Sequence, residues 1–290
     1  MLKIKLETLE AVINPKGAEL SSLTHAGSEL IWQGDEKFWS GSAPILFPIV
    51  GALKDGKMTH LGKNYEMSRH GIARHATFEC IDHSDSHVVM SLRADAASRS
   101  VYPWNFELQV HFALGNCGID IRYTVINHDN TDMLFTLGSH PAFALELNNT
   151  YQFKGYAISF NEVENFVHYP LTEAGLLETK AVPLNTNNNA ITLSDDIFNH
   201  DALVFRDINS TAVSLTRGSE NLLTVETGGA PHLGIWSKPG APFVCIEPWL
   251  GTSDFVNSNG EFASKADIKT LAPDQTFNHT IRISIPATAV

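Results

Sequence analysis

The stretch Phe106-Glu107-Leu108-Gln109-Val110-His111-Phe112-Ala113-Leu114-Gly115-Asn116-Cys117-Gly118-Ile119-Asp120-Ile121-Arg122-Tyr123-Thr124-Val125-Ile126 decides the fold class. Its two halves alternate apolar and polar residues with a period of two, the pattern of strands with one buried face. The glycines of Leu114-Gly115-Asn116-Cys117-Gly118 suit a tight hairpin between them. Working outward, the same alternation recurs at Val88–Arg93, at Thr280–Ile285 and in Met1-Leu2-Lys3-Ile4-Lys5-Leu6-Glu7. Helical periodicity is scarce, limited to a few candidate short pieces such as Thr172–Leu177 and Ser194–Phe198, so the βαβ alternation of a nucleotide-binding sheet is absent. No G-x-G-x-x-G, P-loop or G-x-S-x-G motif occurs. The polar run Asn185-Thr186-Asn187-Asn188-Asn189 has strand-like patterning on both sides and reads as a surface excursion. The sequence predicts an all-β chain, one large antiparallel β-sandwich spanning residues 1–290 as a single domain.

The 290 residues are 43% hydrophobic and carry a net charge of −12. A chain this long buries roughly 75% of its unfolded surface, so its core needs no metal or disulfide. The acidic balance argues against nucleic acid and anionic membranes as partners, since both draw on dense Lys/Arg. Cys80, Cys117 and Cys245 are odd in number, far apart and form no CxxC pair for zinc or disulfide exchange. With no apolar stretch resembling a signal peptide or a membrane span, a cytoplasmic location is expected. A second copy of the chain is a candidate partner, as a homodimer.

Thirteen histidines raise the question of metal. There is no H-x-H, and the one i, i+4 pair, His83 and His87, falls in a polar stretch that reads as a hairpin loop, so no metal is expected. Two other residues stand out by position. Glu247 follows Phe243-Val244-Cys245-Ile246 and precedes Pro248-Trp249, as if leaving a buried strand into an aromatic-walled turn. Low dielectric there raises a carboxyl pKa toward the general-base range, although a buried partner for an arginine is an equal reading. His140 lies between an apolar segment and Pro141, with Gly138 and Ser139 permitting close backbone approach. A lone histidine so placed is more often a structural hydrogen-bonder. Taken with Glu247, Trp39 and Trp249, it describes a cleft with an acid, a base and aromatic platforms of the kind that contact sugars.

On these residues the chain resembles the aldose 1-epimerases, or galactose mutarotases, and is nearest to a shorter bacterial branch related to hexose-6-phosphate mutarotases. The carrying segments are Arg69-His70-Gly71-Ile72-Ala73-Arg74, Gly138-Ser139-His140-Pro141-Ala142-Phe143, Gly234-Ile235-Trp236-Ser237-Lys238-Pro239 and Ile246-Glu247-Pro248-Trp249-Leu250-Gly251, with Asp254 beyond. The resemblance implies a β-supersandwich whose concave face binds a monosaccharide or sugar phosphate with no cofactor. It implies Glu247 as the base and His140 as the acid in anomer exchange, and His70 as a hydrogen-bonding partner of the sugar. Arg74 is implied as a contact to sugar hydroxyls or to a phosphate, with an ion pair to Glu247 or another buried acid as the alternative. Asp201 is matched to a substrate-binding aspartate, against the reading of a solvated strand-end residue. Trp236 and Lys238 are placed on the rim, strand packing being the alternative for the tryptophan. One departure is plain: the Gly-Arg-x-x-Asn-Arg-like segment of the main galactose enzymes is replaced by Pro48-Ile49-Val50-Gly51-Ala52-Leu53-Lys54-Asp55-Gly56. For a phosphate, the candidate cations are Lys54, Arg69, Arg74 and Lys238.

The leading expectation is therefore an aldose 1-epimerase acting on a hexose or hexose phosphate, with a non-catalytic carbohydrate-binding or regulatory protein as the alternative. Glycoside hydrolysis ranks last, because it requires two catalytic carboxyls and only Glu247 sits in a convincing segment.

Overall fold

The computed structural model describes residues 1–145, 153–186 and 188–286; residues 146–152, Asn187 and residues 287–290 of the expected domain lie outside the described residues. The hairpin forms as its alternation requires. Phe106–Gly115 pairs antiparallel with Gly118–Asn127, from Phe106 opposite Asn127 to Gly115 opposite Gly118, leaving Asn116 and Cys117 as the turn. Phe106, Leu108, Val110 and Phe112 of one strand and Ile119, Ile121, Tyr123 and Val125 of the other are buried. Each such side chain contributes roughly 1.5–3 kcal/mol relative to exposure. Gly118 is required by the neighbouring strand: a Cβ there would stand 2.1 Å from the Ile283 carbonyl oxygen.

This hairpin supplies two adjacent inner strands of a nine-stranded antiparallel sheet. Its order is Ala190–Thr192, Tyr156–Phe160, Ala212–Arg217, Glu220–Glu226, Thr276–Ser284, Gly118–Asn127, Phe106–Gly115, His87–Arg93 and Glu79–His83. A six-stranded sheet runs Leu203–Arg206, His232–Trp236, Phe243–Trp249, Gly138–Ser139 and Ile45–Leu46, with Ala142–Ala144 also pairing to Phe243–Trp249. A four-stranded N-terminal sheet begins with Leu2–Leu6, the strand expected at the start of the chain. One apolar core takes side chains from both large sheets, among them Val110, Ile121 and Ile283 from the first and Leu233, Ile235, Val244 and Ile246 from the second.

Both expected helical pieces are turns. At Thr172–Leu177 the Gly175 N–H donates to the Thr172 carbonyl at 2.8 Å, and Gly175 itself adopts φ +75°, which ends any helix there. At Ser194–Phe198 the Ser194 hydroxyl donates to Asp196 Oδ1 at 2.6 Å, and such local side-chain bonding competes with helix. The α-helix that does form among the described residues is Ala96–Val101, six residues with none buried. It is held by its cap, in which Ser98 N–H donates to Asp95 Oδ1 at 2.7 Å and Asp95 N–H donates back to Ser98 Oγ at 2.8 Å. No helix among the described residues is long and apolar enough to cross a membrane.

Candidate active site

The strand Phe243–Trp249 is buried along its whole length, and period-two geometry divides its side chains. Val244 and Ile246 enter the main core, whereas Phe243 and Cys245 join a second apolar cluster with Trp32 and Ala142 on the opposite face. Glu247 and Trp249 follow on that opposite face. The neighbouring strand behaves likewise, with Leu233 and Ile235 toward the core and Trp236 toward the other side. Glu247 therefore does not leave the strand as the sequence suggests; it pairs with Gly234, and the strand continues through Pro248 to Trp249.

Pro248 is tolerated because its missing N–H falls opposite a break in the adjacent strand. Ile246 N–H donates to the Pro141 carbonyl at 3.2 Å and Leu250 N–H to the Leu137 carbonyl at 2.8 Å, while pairing lapses at His140–Pro141 between them. That break delivers His140 beside Glu247. Gly138 and Gly234 make room for the Trp249 indole, since a Cβ at either would approach it to 2.7 Å and 2.5 Å.

The result is a cavity of about 410 Å³ lined by His70, Arg74, His140, Asp201, Trp236, Lys238 and Glu247, all seven residues singled out in the sequence. Trp39 and Trp249 line it as well. Trp39 stacks on His140 with ring centroids 5.0 Å apart and planes at 24°, and Trp236 meets the same imidazole edge-on at 5.8 Å. His140 Nδ1 lies 3.3 Å from Glu247 Oε2. Burial pushes the His140 imidazole down to about 3, with nearby Arg74 adding to the effect. Burial also holds the Glu247 carboxyl well above the ordinary carboxylate range, against the pull of Arg69.

His70 sits in the left-handed region at φ +71°, locked to Gly51 by two bonds. Its N–H donates to the Gly51 carbonyl at 2.8 Å, and Gly51 N–H donates to its Nδ1 at 3.1 Å. An Nδ1 that accepts cannot carry the proton, so the neutral ring holds it on Nε2 and offers a donor. Burial, then His140 and the two arginines, keep this imidazole well below its ordinary pKa and therefore neutral.

Asp201 is not merely a solvated strand end. It accepts from Ala202 N–H at 2.8 Å and pairs with Arg69 Nη1 at 3.3 Å across the mouth of the cavity. Arg74 is half-buried and makes no ion pair with Glu247 or any other acid among the described residues, so the ion-pair alternative is not formed. Of the four candidate cations, Lys54 is directed elsewhere, its Nζ donating to the Ser258 carbonyl at 2.9 Å. Arg69, Arg74 and Lys238 all line the cavity.

Sequence reasoning missed Phe198 and Asn199 in the cavity wall; Phe198 ends the stretch expected to be a short helical piece, and Asn199 follows it in the same turn. It also missed the third member of a buried group, since His140, Cys245 and Glu247 each offer a donor atom within 4.8 Å of the other two. The i, i+2 spacing of Cys245 and Glu247 on one strand face is the signal that could have found it.

Residues 1–284 match the family model for aldose 1-epimerase. The chain belongs to the aldose 1-epimerase family. The chromosomal LacX protein of Lactococcus lactis subsp. lactis is 29% identical over 295 residues, covering 98% of this chain and 99% of that protein. Among solved structures, a galactose mutarotase related enzyme from Lactobacillus acidophilus superposes with a TM-score of 0.91 at 31% identity, covering 99% of this chain and 97% of its own. A galactose mutarotase-like protein from Lactobacillus casei ATCC 334 gives 0.93 at 27% identity, covering 99% and 100%. The two solved structures share this chain's galactose mutarotase-like all-β fold, in agreement with the fold class and resemblance read from the sequence.

Proposed function

We propose that this member of the aldose 1-epimerase family is a cytoplasmic mutarotase that interconverts the α and β anomers of a hexose or hexose phosphate. The observation that carries the reading is the face-to-face placement of His140 and Glu247 in a cavity between tryptophans, of a size within the ~300–1,000 Å³ of small-molecule sites. Ring opening needs a base at the anomeric hydroxyl and an acid at the ring oxygen, with the roles reversed after rotation about C1–C2. Glu247 as carboxylate takes the O1 proton while His140 as imidazolium protonates the ring oxygen. Because Nδ1 of His140 faces Glu247, Nε2 is the nitrogen left for the sugar.

Burial favours the resting pair as neutral acid plus neutral imidazole. Reaching the catalytic arrangement requires one proton to pass from Glu247 to His140, and Arg69, the strongest influence opposing burial on Glu247, favours the carboxylate. His70 donates from Nε2 to the developing open-chain carbonyl. The surplus of Arg74 and Lys238 over the paired Arg69–Asp201 favours a substrate bearing a phosphate.

The test is anomer exchange followed by NMR on glucose, galactose and their 6-phosphates, with wild type beside Glu247→Gln. Exchange above the buffer rate that is lost in the variant supports the reading. Binding without exchange on every sugar moves the protein to the carbohydrate-binding alternative.

A further inference from the structure

We propose that His140, Cys245 and Glu247 form an inhibitory site for a thiophilic divalent cation of the zinc type at the floor of the cavity. The three donor atoms lie within 4.8 Å of one another, and all three residues are buried. Two of them are unsatisfied: His140 Nδ1 and Glu247 Oε2 have no hydrogen-bond partner, on side chains 9% and 1% exposed. Their 3.3 Å separation is close to the spacing of two ligands around one tetrahedral ion with bonds of roughly 2.0–2.2 Å.

Cys245 completes the set from the same face of the same strand as Glu247. Its thiol is held protonated by burial and then by the nearby carboxylate, so it is no nucleophile in the free protein. A cation bound there displaces the thiol proton and the Glu247 carboxyl proton to solvent and forms metal–sulfur and metal–oxygen bonds, leaving one coordination position open toward the cavity. The mixed nitrogen, sulfur and oxygen donors select zinc or cadmium over magnesium or calcium, which require oxygen ligands. Occupancy takes the His140 Nδ1 lone pair and Glu247 Oε2, so the proton that must pass from Glu247 to His140 has no route, and cation and turnover exclude each other. The binding half stands on this geometry alone; the inhibitory half rests on the proposed mutarotase activity.

The experiment uses the full chain as Cys80→Ser/Cys117→Ser, which replaces the two exposed cysteines and leaves Cys245 as the single thiol. Cadmium chloride is titrated while the ultraviolet cadmium–thiolate charge-transfer band is recorded, with zinc chloride as competitor and magnesium chloride as control. The expected result is one equivalent of cadmium per chain with the thiolate band, displaced by zinc but not by magnesium. Zinc affinity should weaken at least tenfold in Cys245→Ala or, if that variant does not fold, in Cys245→Val. Absence of the band in the folded single-thiol protein overturns the site, as does unaltered zinc affinity without Cys245. In parallel, mutarotation is measured in chelator and in excess zinc. Activity that survives saturating zinc, or rises with it, overturns the inhibitory role. A band with no mutarotation in chelator leaves the cation site standing and refutes the proposed activity instead.

Discussion

His140 Nδ1 lies 3.3 Å from Glu247 Oε2, and neither atom has another hydrogen-bond partner among the described residues. The two groups therefore share their protonation, and any apparent pKa in a rate profile belongs to the pair. Because one proton must reside on the pair for either step, removing either member disables both directions of the exchange. Glu247→Gln and His140→Asn should each lower kcat by about 10²–10⁴-fold, and the double variant should be little worse than the more damaged single one. Anomer exchange by NMR on folded variants checks this; full activity in either single variant would refute the assignment.

Arg74 and Arg69 both line the cavity, yet of the two only Arg69 forms an ion pair among the described residues. A guanidinium without a partner, already disfavoured by burial, gains most from an anionic ligand. Hydrogen bonds to charged groups contribute about 1.5–3 kcal/mol, roughly a tenfold to hundredfold change in binding. Arg74→Met should raise KM for a hexose 6-phosphate by that factor while changing KM for the free hexose far less. Equal increases for both would show that Arg74 contacts a sugar hydroxyl.

The strands were legible because their faces are unequal: in Phe106–Gly115 and Gly118–Asn127 every second residue meets the core. The helix Ala96–Val101 was not, because it buries nothing and depends on a reciprocal cap, which leaves no apolar stripe. The site residues His140 and Glu247 stood out because polar groups flanked by apolar residues and prolines are costly to bury. What the sequence did not show was the side-by-side arrangement. Whether Arg74 finds an acid, how Arg69 reaches Asp201 132 residues away, and how Cys245 meets His140 depend on pairing between distant strands. The exit expected at Glu247 was misplaced for a related reason: Pro248 signals a strand end unless the neighbouring strand is broken beside it, as it is at His140.

Lys265 and Asp254 form a buried ion pair at 2.8 Å, with side chains 2% and 4% exposed. Lys265 Nζ also donates to the Thr252 carbonyl at 2.8 Å, and Asp254 Oδ2 accepts from Lys54 N–H at 2.9 Å. These bonds fasten the segment after Trp249 to the turn that carries Gly51. Removing one partner strands the other charge, at about 3–5 kcal/mol. Lys265→Met should therefore lower unfolding stability by that amount in urea titration. Lys265→Met/Asp254→Leu should recover part of the loss, and a double variant less stable than the single would show the charge is not the cause.

His279 is buried in the strand Thr276–Ser284, and its Nε2 has no hydrogen-bond partner. Burial, assisted by Lys269, lowers its pKa from 6.5 to about 4. Between those values the unfolded chain binds a proton that the folded one refuses. Stability is therefore fully present above pH 6.5 and declines as pH falls toward 4, at up to about 1.4 kcal/mol per pH unit for one such group. His140, lowered to about 3, acts in the same sense over a window that extends further into acid. Urea midpoints measured from pH 7.5 down to pH 4.5 should fall steadily for the wild type. They should fall less steeply for His279→Gln, which keeps a polar side chain but cannot ionise. Parallel slopes for the two proteins would mean that His279 does not contribute to acid lability.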